Sequence, residues 1–265
     1  MSQKSIGEVK NILQDAAEDG VISQKALQVI DINDTVLAGI DGTDIDDIQA
    51  TDVTLLTLVV DDTGSLAHLI DSVIEGQNQL LEAIRNSKQK DNILLALWKF
   101  DADSKLVHSY VPVGQATKLD RRNYRASGSS TALNDAWMNA MASNIAYAQM
   151  LRSSGTPVKN IAVVITDGQD NDSRRYRAAD CAKVNKDLLK SEQFILAFVG
   201  MGQTAADETQ FRLIAEEMGF PDGAILTVDS TPSEIRKIFN MISQSAIRAS
   251  QKAVSAAAQN SFFNP

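Results

Sequence analysis

Short runs of apolar and β-branched residues, each separated from the next by a longer amphipathic stretch, constrain this chain more than any other feature. The runs are "VTLLTLVV" (53–60), "NILLALWKF" (92–100), "NIAVVIT" (160–166), "FILAFVG" (194–200) and "AILTV" (224–228). Near-continuous apolar strands must be covered on both faces, which crossover helices accomplish in a mostly parallel sheet. The intervening segments have helical periodicity. In the first, Leu66, Leu69, Ile70, Val73, Ile74, Leu80, Leu81 and Ile84 recur at spacings of three and four, interrupted only by Gln77. Others run from Thr131 to about Leu151, Arg174 to Lys190, Ala205 to Met218, and Ser233 to at least Ile247, the last with Pro232 in its first turn and Thr231 as its cap. "KLVHSYVPV" (105–113) follows the second strand after only "DADS", too short for a crossover helix, so it is expected to return antiparallel as an edge strand. The prediction is an α/β, doubly wound, Rossmann-like three-layer sandwich around a six-stranded sheet.

At 265 residues the chain has room for this domain and a little more. Residues 1–52 read as an N-terminal helical and acidic extension, with short helices at about 5–18 and 23–31. They are followed by "DTVLAGIDGTDIDDIQATD", which reads as strand or loop. Residues 53–248 form the α/β domain. Residues 249–265 form a C-terminal tail, expected to fray although it carries the apolar pair Phe262 and Phe263. Trp98 and Trp137 are expected in the core.

Net charge is −9, and between Ala26 and Ile84 there are twelve Asp and Glu and no Lys or Arg. Such a surface repels phosphate backbones, which argues against nucleic acid as a partner. The carboxylates are either a solvated face or an attractor for a cation or basic partner. "RRNYR" (121–125) is the one concentrated basic patch, either a solvated loop or a contact for an acidic partner. The single cysteine, Cys181, allows no internal disulfide and sits in a helical pattern, where a buried thiol is expected. No stretch approaches ~18 consecutive apolar residues, and none at the N-terminus has signal-peptide length. The expectation is a soluble, cytoplasmic protein without a membrane partner.

Where the first strand ends, the sequence reads "DDTGS": Asp61, Asp62, Thr63, Gly64 and Ser65. Ligands of open parallel sheets bind beyond the carboxyl ends of strands, near the point where strand order reverses. Asp61, Thr63 and Ser65 are spaced two apart, so their oxygens can converge in a turn. "SGSSTALNDAW" (127–137) places Thr131 at a helix start, and "VVITDGQDND" places Asp167 beyond another strand, followed by Gly168, Asp170, Asn171 and Asp172. Taken singly, each piece also reads as a turn residue or a helix cap. Together they offer two carboxylates and three hydroxyls, which are ligands for a small hard cation such as Mg²⁺, with Mn²⁺ or Ca²⁺ as alternatives, and not for zinc. EF-hand loops starting at Asp31 or Asp167 fail, because Val36 or Asp172 would stand at the glycine position.

"LVVDDTGS", "GSSTALNDA" and "VVITDGQDN" resemble the three segments of the metal-ion-dependent adhesion site (MIDAS) of von Willebrand factor type A (vWA) domains. The departure is Thr63 in place of the usual first serine. The resemblance implies strand order 3-2-1-4-5-6 and a site of Asp61, Thr63, Ser65, Thr131 and Asp167; Asp62, Gly64, Gly168, Asp170 and Asp172 are expected to rim it. It implies no catalytic residues. The expected function is protein binding, with the bound Mg²⁺ accepting an Asp or Glu from a partner. "EIRKIFNMISQSAIRASQKAV" is similar to the closing helix of small bacterial members linked to tellurite-resistance and stress operons. Two alternatives remain. "LVVDDTG" superficially resembles the first motif of haloacid-dehalogenase-type phosphatases, though Thr63 cannot supply acid–base chemistry there. The other is an assembly protein with a vestigial metal site that binds through its termini.

Overall fold

The computed structural model describes residues 4–263, so the outermost ends of the extension and of the tail lie outside it. Six strands form one sheet: β1 (Val53–Asp61), β2 (Ile93–Phe100), β3 (Ser104–Pro112), β4 (Val158–Thr166), β5 (Phe194–Gly202) and β6 (Ile225–Asp229). Their order is β3-β2-β1-β4-β5-β6. All neighbours are parallel except β2 and β3, which pair antiparallel. The chain builds outward from β1 to β2 and β3, then returns to β1's other side as β4. The reversal therefore lies between β1 and β4, whose carboxyl ends lead into Asp61 and Asp167.

Strand residues alternate between two apolar cores. Leu55, Val59, Ala162 and Phe198 face one, while Leu56, Leu58, Val163 and Ala197 face the other. The second core is closed by α4 (Ile70–Arg85) and α8 (Pro232–Ser250), which bring Val73, Leu80, Ile235 and Phe239 onto the sheet. The first is closed by α5 (Leu133–Ser153), α6 (Ala178–Lys190) and α7 (Ala205–Glu217). Trp98, Trp137 and Cys181 are buried in it.

Four elements depart from the sequence-based expectation, the last of them the C-terminal tail. Residues 64–69 form a 3₁₀ turn before α4, so the apolar stripe starts ahead of the regular helix. Helix α6 begins at Ala178 and not at Arg174. The carboxylate of Asp135 takes up the backbone N–H groups of Arg174, Arg175 and Tyr176, which holds that stretch as a loop over α5.

The third departure is in the extension, which forms α1 (Ile6–Glu18), α2 (Gln24–Leu27) and α3 (Asp34–Ile40). Helix α3 lies where a strand or loop was expected. The Asn33 side chain accepts from the N–H groups of Thr35 and Val36 and starts it. Seven residues are too few to display a helical period, and contacts with α5 supply the rest. A Cβ on Gly39 would collide with Ser143 and Trp98, so the glycine sets how close the two helices lie. Ser143 Oγ donates to Val36 O, and Tyr147 OH donates to Thr43 O. With the sheet on one side and the extension on the other, α5 is buried on nearly every face.

The tail is not frayed. It forms α9 (Ala256–Gln259) and tucks Phe262 and Phe263, only 3% and 5% exposed, into the second core. Gln259 Nε2 donates to the Leu189 and Phe194 carbonyls, and Ser245 Oγ donates to Phe262 O. A phenylalanine pair so placed is core, not a free hook for a partner. Among the described residues, no helix is long and apolar enough to cross a membrane.

Candidate functional site

At the β1 end the backbone turns sharply to leave the sheet. Asp61 is fully buried, and its two carboxylate oxygens accept from Thr63 N–H (2.8 Å) and Thr166 Oγ1 (2.6 Å). Thr166 is the last residue of β4 and sits beside Asp61 in register, as the pairing of Val60 with Ile165 dictates. The N–H of Gly168 in turn donates to Thr166 Oγ1 (3.1 Å). This clamp fixes the Asp61 carboxylate and orients the turn that carries Thr63 and Ser65.

The hydroxyls form a chain. Thr63 Oγ1 and Ser65 Oγ are 2.9 Å apart, and Ser65 Oγ donates to Asp167 Oδ1 at 2.7 Å. Thr131 arrives from the loop before α5, where its N–H donates to Asn171 Oδ1 and its carbonyl accepts from Asn171 N–H. Its hydroxyl lies so near Gly168 that a Cβ there would stand 2.9 Å from Oγ1. Thr63, Ser65, Thr131 and Asp167 thus line one cleft of about 480 Å³, together with Gly64, Gly128–Ser130 and Gly168–Asn171. Asp61 lies buried behind Thr63.

The rim residues divide. Gly64 and Gly168 line the cleft, as does Asp170, whose Oδ1 also accepts from Asn134 N–H and Ser173 Oγ. Asp172 stands just outside it. One of its oxygens accepts from Ser130 Oγ at 2.9 Å, and Arg174 pairs with the carboxylate. Asp62 does not join the rim. Its carboxylate turns to the loop before Thr131, accepting from the N–H groups of Arg125 and Ala126 and pairing with Lys99 at 2.8 Å. That loop has Ala126 at φ 44°, in the left-handed region, and Tyr124 OH donating to Asp61 O. Alternate residues of a strand point to opposite sides, and consecutive aspartates leaving a strand likewise diverge. His68, outside the cleft lining, donates through Nδ1–H to Ser65 O.

Sequence reasoning missed Thr166, Tyr124, Lys99 and Gln169. Thr166 was findable, since a hydroxyl ending the strand next to β1 falls beside Asp61 once the order is known. Lys99 and Tyr124 act through contacts across strands and loops that no local pattern announces.

The electrostatics show what the cleft lacks. Burial, reinforced by the charge of Asp167, pushes the Asp61 carboxyl up to about 6 against the hydrogen bonds from Thr166 and Thr63. Burial also raises Asp167, against the Ser65 hydrogen bond. No Lys or Arg is among the residues that line the cleft. Two desolvated carboxylates with no cation opposite are a site short of positive charge. Among the described residues no group of three or more His, Cys, Asp and Glu is placed to hold a metal. The donors here are two carboxylates and three hydroxyls, a set that fits a hard cation and not zinc.

The raised Asp61 carboxyl has a measurable consequence without any ion. Between its ordinary value of 3.8 and about 6, the folded chain holds a proton that the unfolded chain has lost. This group therefore costs stability as pH rises through that window, and the cost is complete above it. Compared with Asp61→Asn, which does not titrate, the wild type in EDTA is expected to lose on the order of 2–3 kcal/mol between pH 4 and pH 7. Urea unfolding at both pH values measures it. A gap between the two proteins that does not change with pH would show that Asp61 is not desolvated.

The family model of the von Willebrand factor type A domain matches residues 56–241. Solved structures share the fold. The pilus adhesin SpaC from Lactobacillus rhamnosus GG, in its open conformation, superposes with a TM-score of 0.55 at 15% identity, over 76% of this chain and 30% of that one. The PilB minor pilin from Streptococcus sanguinis gives 0.53 at 13% identity, over 76% and 63%. The vWF domain of the type V pili tip protein Mfa5 from Porphyromonas gingivalis gives 0.53 at 11% identity, over 78% and 99%. The chain thus spans about a third of the adhesin, just under two thirds of the minor pilin and nearly all of the tip-protein domain. At such identities the likeness is one of fold. No curated protein matches the chain.

Proposed function

Because the chain belongs to the von Willebrand factor type A domain family, we propose that it is a non-catalytic protein-binding module whose grip depends on a divalent ion. Asp61, Thr63, Ser65, Thr131 and Asp167 would hold Mg²⁺, with Mn²⁺ or Ca²⁺ able to replace it. The observation that carries this reading is the hydroxyl chain of Thr63 and Ser65 ending on the desolvated Asp167, with the desolvated Asp61 buried behind it, on an open cleft with no cationic side chain among its lining residues. A bound ion would supply the missing charge. With only two anionic groups in the set, it would keep an appetite for a third, and a partner's Asp or Glu is the natural one.

The hydroxyls fit the role through their present hydrogen bonds, which hold three oxygens of Thr63, Ser65 and Asp167 in sequence. The Thr166 and Gly168 clamp holds Asp61 in place without an ion. The position two after Asp61 is a threonine, which cannot supply the acid–base chemistry of the phosphatase motif.

Titration calorimetry with MgCl₂ is expected to give one site per chain. Capture from a native lysate on the immobilised chain is expected to retain a partner in Mg²⁺ and release it in EDTA. Absence of ion binding, or retention that ignores EDTA, would overturn the reading. Turnover of a phosphate ester that Asp61→Ala abolishes would replace it with an enzymatic one.

A further inference from the structure

The cleft's walls carry no positive side chain, but the loops on either side of it do. Two loops flank it. The first leads into Thr131 and carries Arg121, Arg122 and Arg125, while the second follows Asp167 and carries Arg174. Both loops are bolted to the site. In the first, Tyr124 OH donates to Asp61 O, Arg125 N–H to Asp62 Oδ1, and Gly128 O accepts from Gly64 N–H. In the second, Asp172 holds Ser130 Oγ with one oxygen and pairs with Arg174. The arginines are thus tied to the same frame as the candidate ion ligands and yet exposed. The side chains of Arg121, Arg122 and Arg174 are 68%, 91% and 75% accessible.

This placement runs against the composition of the chain. Net charge is −9, but residues 118–125 hold Lys118, Arg121, Arg122 and Arg125 against the single carboxylate of Asp120. On the opposite side, a neighbouring cavity of about 320 Å³ shares Ser65, Asp167 and Gln169 with the cleft and runs to Gln203, Asp207 and Ser230 without a basic residue.

We infer that the partner segment is acid-rich: beside the carboxylate that meets the ion it carries further Asp or Glu, which these arginines receive on the Thr131 side of the cleft. This rests on the ion-dependent reading above and names the partner's chemistry. Arg121, Arg122 and Arg174 now pair with Asp71, Asp120 and Asp172, all at the surface. Exposed pairs of this kind are worth little, so a partner's carboxylates can displace or share them. Arg125 is exposed and has no ion pair among the described residues. At physiological salt a charge is felt over ~8 Å, so charges local to the cleft, and not the chain's net charge, govern an acidic visitor there.

The test uses the full chain in Mg²⁺ and two synthetic peptides. One has a single Asp among Gly and Ser, and the other has that Asp flanked by three Glu. Fluorescence anisotropy is expected to give the acid-rich peptide an affinity more than tenfold higher. That exceeds the roughly fourfold that four equivalent acids give by statistics, and it matches two or three exposed ion pairs. The advantage is expected to shrink at high salt. It is expected to fall several times more than single-acid binding in the double variant Arg125→Gln, Arg174→Gln, whose folding circular dichroism verifies. Equal affinities for the two peptides in Mg²⁺, or an advantage that survives the double variant, would overturn this inference and leave the ion-dependent reading standing. Binding of either peptide undiminished in EDTA would remove both. A single-stranded oligonucleotide bound more tightly than the acid-rich peptide would also overturn it, making the patch a phosphate site.

Discussion

Replacing Asp61 with alanine is expected to erase the stabilisation that Mg²⁺ gives the wild type while leaving the fold in place. Two opposed effects set the size of the change. In EDTA at neutral pH the variant loses a carboxylate that burial has driven up to about 6, a relief, and orphans Thr63 N–H, a cost of ~1–3 kcal/mol, while Thr166 Oγ1 keeps Gly168 O as an acceptor. The two largely cancel. In Mg²⁺ the wild type alone gains. At an ion concentration about 100 times Kd the gain is ~2.7 kcal/mol, which in a domain of this size raises Tm by several degrees. The measurement is thermal unfolding of both proteins with and without the ion. A wild type indifferent to Mg²⁺, or a variant that gains as much, would dismiss the proposed site. Removing Asp62 instead would act through the loop that Lys99, Arg125 and Ala126 anchor there, so the two neighbouring aspartates are separable by experiment.

The second large effect belongs to the tail. Truncating Phe262 or Phe263 to alanine is expected to cost ~3–5 kcal/mol each, because both rings are buried. The rings meet edge to face at 5.0 Å and sit among residues of α8 and the sheet. Their backbone is fixed too. Ser245 Oγ donates to Phe262 O at 2.6 Å, and Gly223 abuts the Asn260 backbone so closely that a Cβ there would clash. The cleft is at the other end of the strands, so Mg²⁺ should stabilise the surviving folded fraction as it does the wild type. Urea unfolding of the two variants decides the matter. Full stability combined with loss of a captured partner would mean that the phenylalanines work as an exposed hook after all.

These residues also mark how far the sequence could be read. The alternation of buried strands with amphipathic helices is a local property, written at spacings of two and of three to four. It determined the layers, the parallel sheet and the antiparallel return of β3. It also located Asp61, Thr63, Ser65, Thr131 and Asp167, since loops that leave adjacent strands at their carboxyl ends share one edge of the sheet. Four of these side chains line one cleft, and the fifth is buried behind them.

Tertiary structure decided the remainder. The sequence places Asp61 and Asp62 side by side, but only the packed chain sends the first to Thr166 and the second to Lys99, from strands on opposite sides of β1. "DTVLAGI" is ambiguous alone and becomes α3 because Ser143 of α5 and Trp98 of β2 receive Gly39. A terminal phenylalanine pair reads as frayed until an apolar groove elsewhere in the chain claims it. In each case the energy comes from contacts between residues dozens of positions apart, for which a single sequence has no period to display. Local patterning writes the elements, and long-range burial chooses what each ambiguous segment becomes.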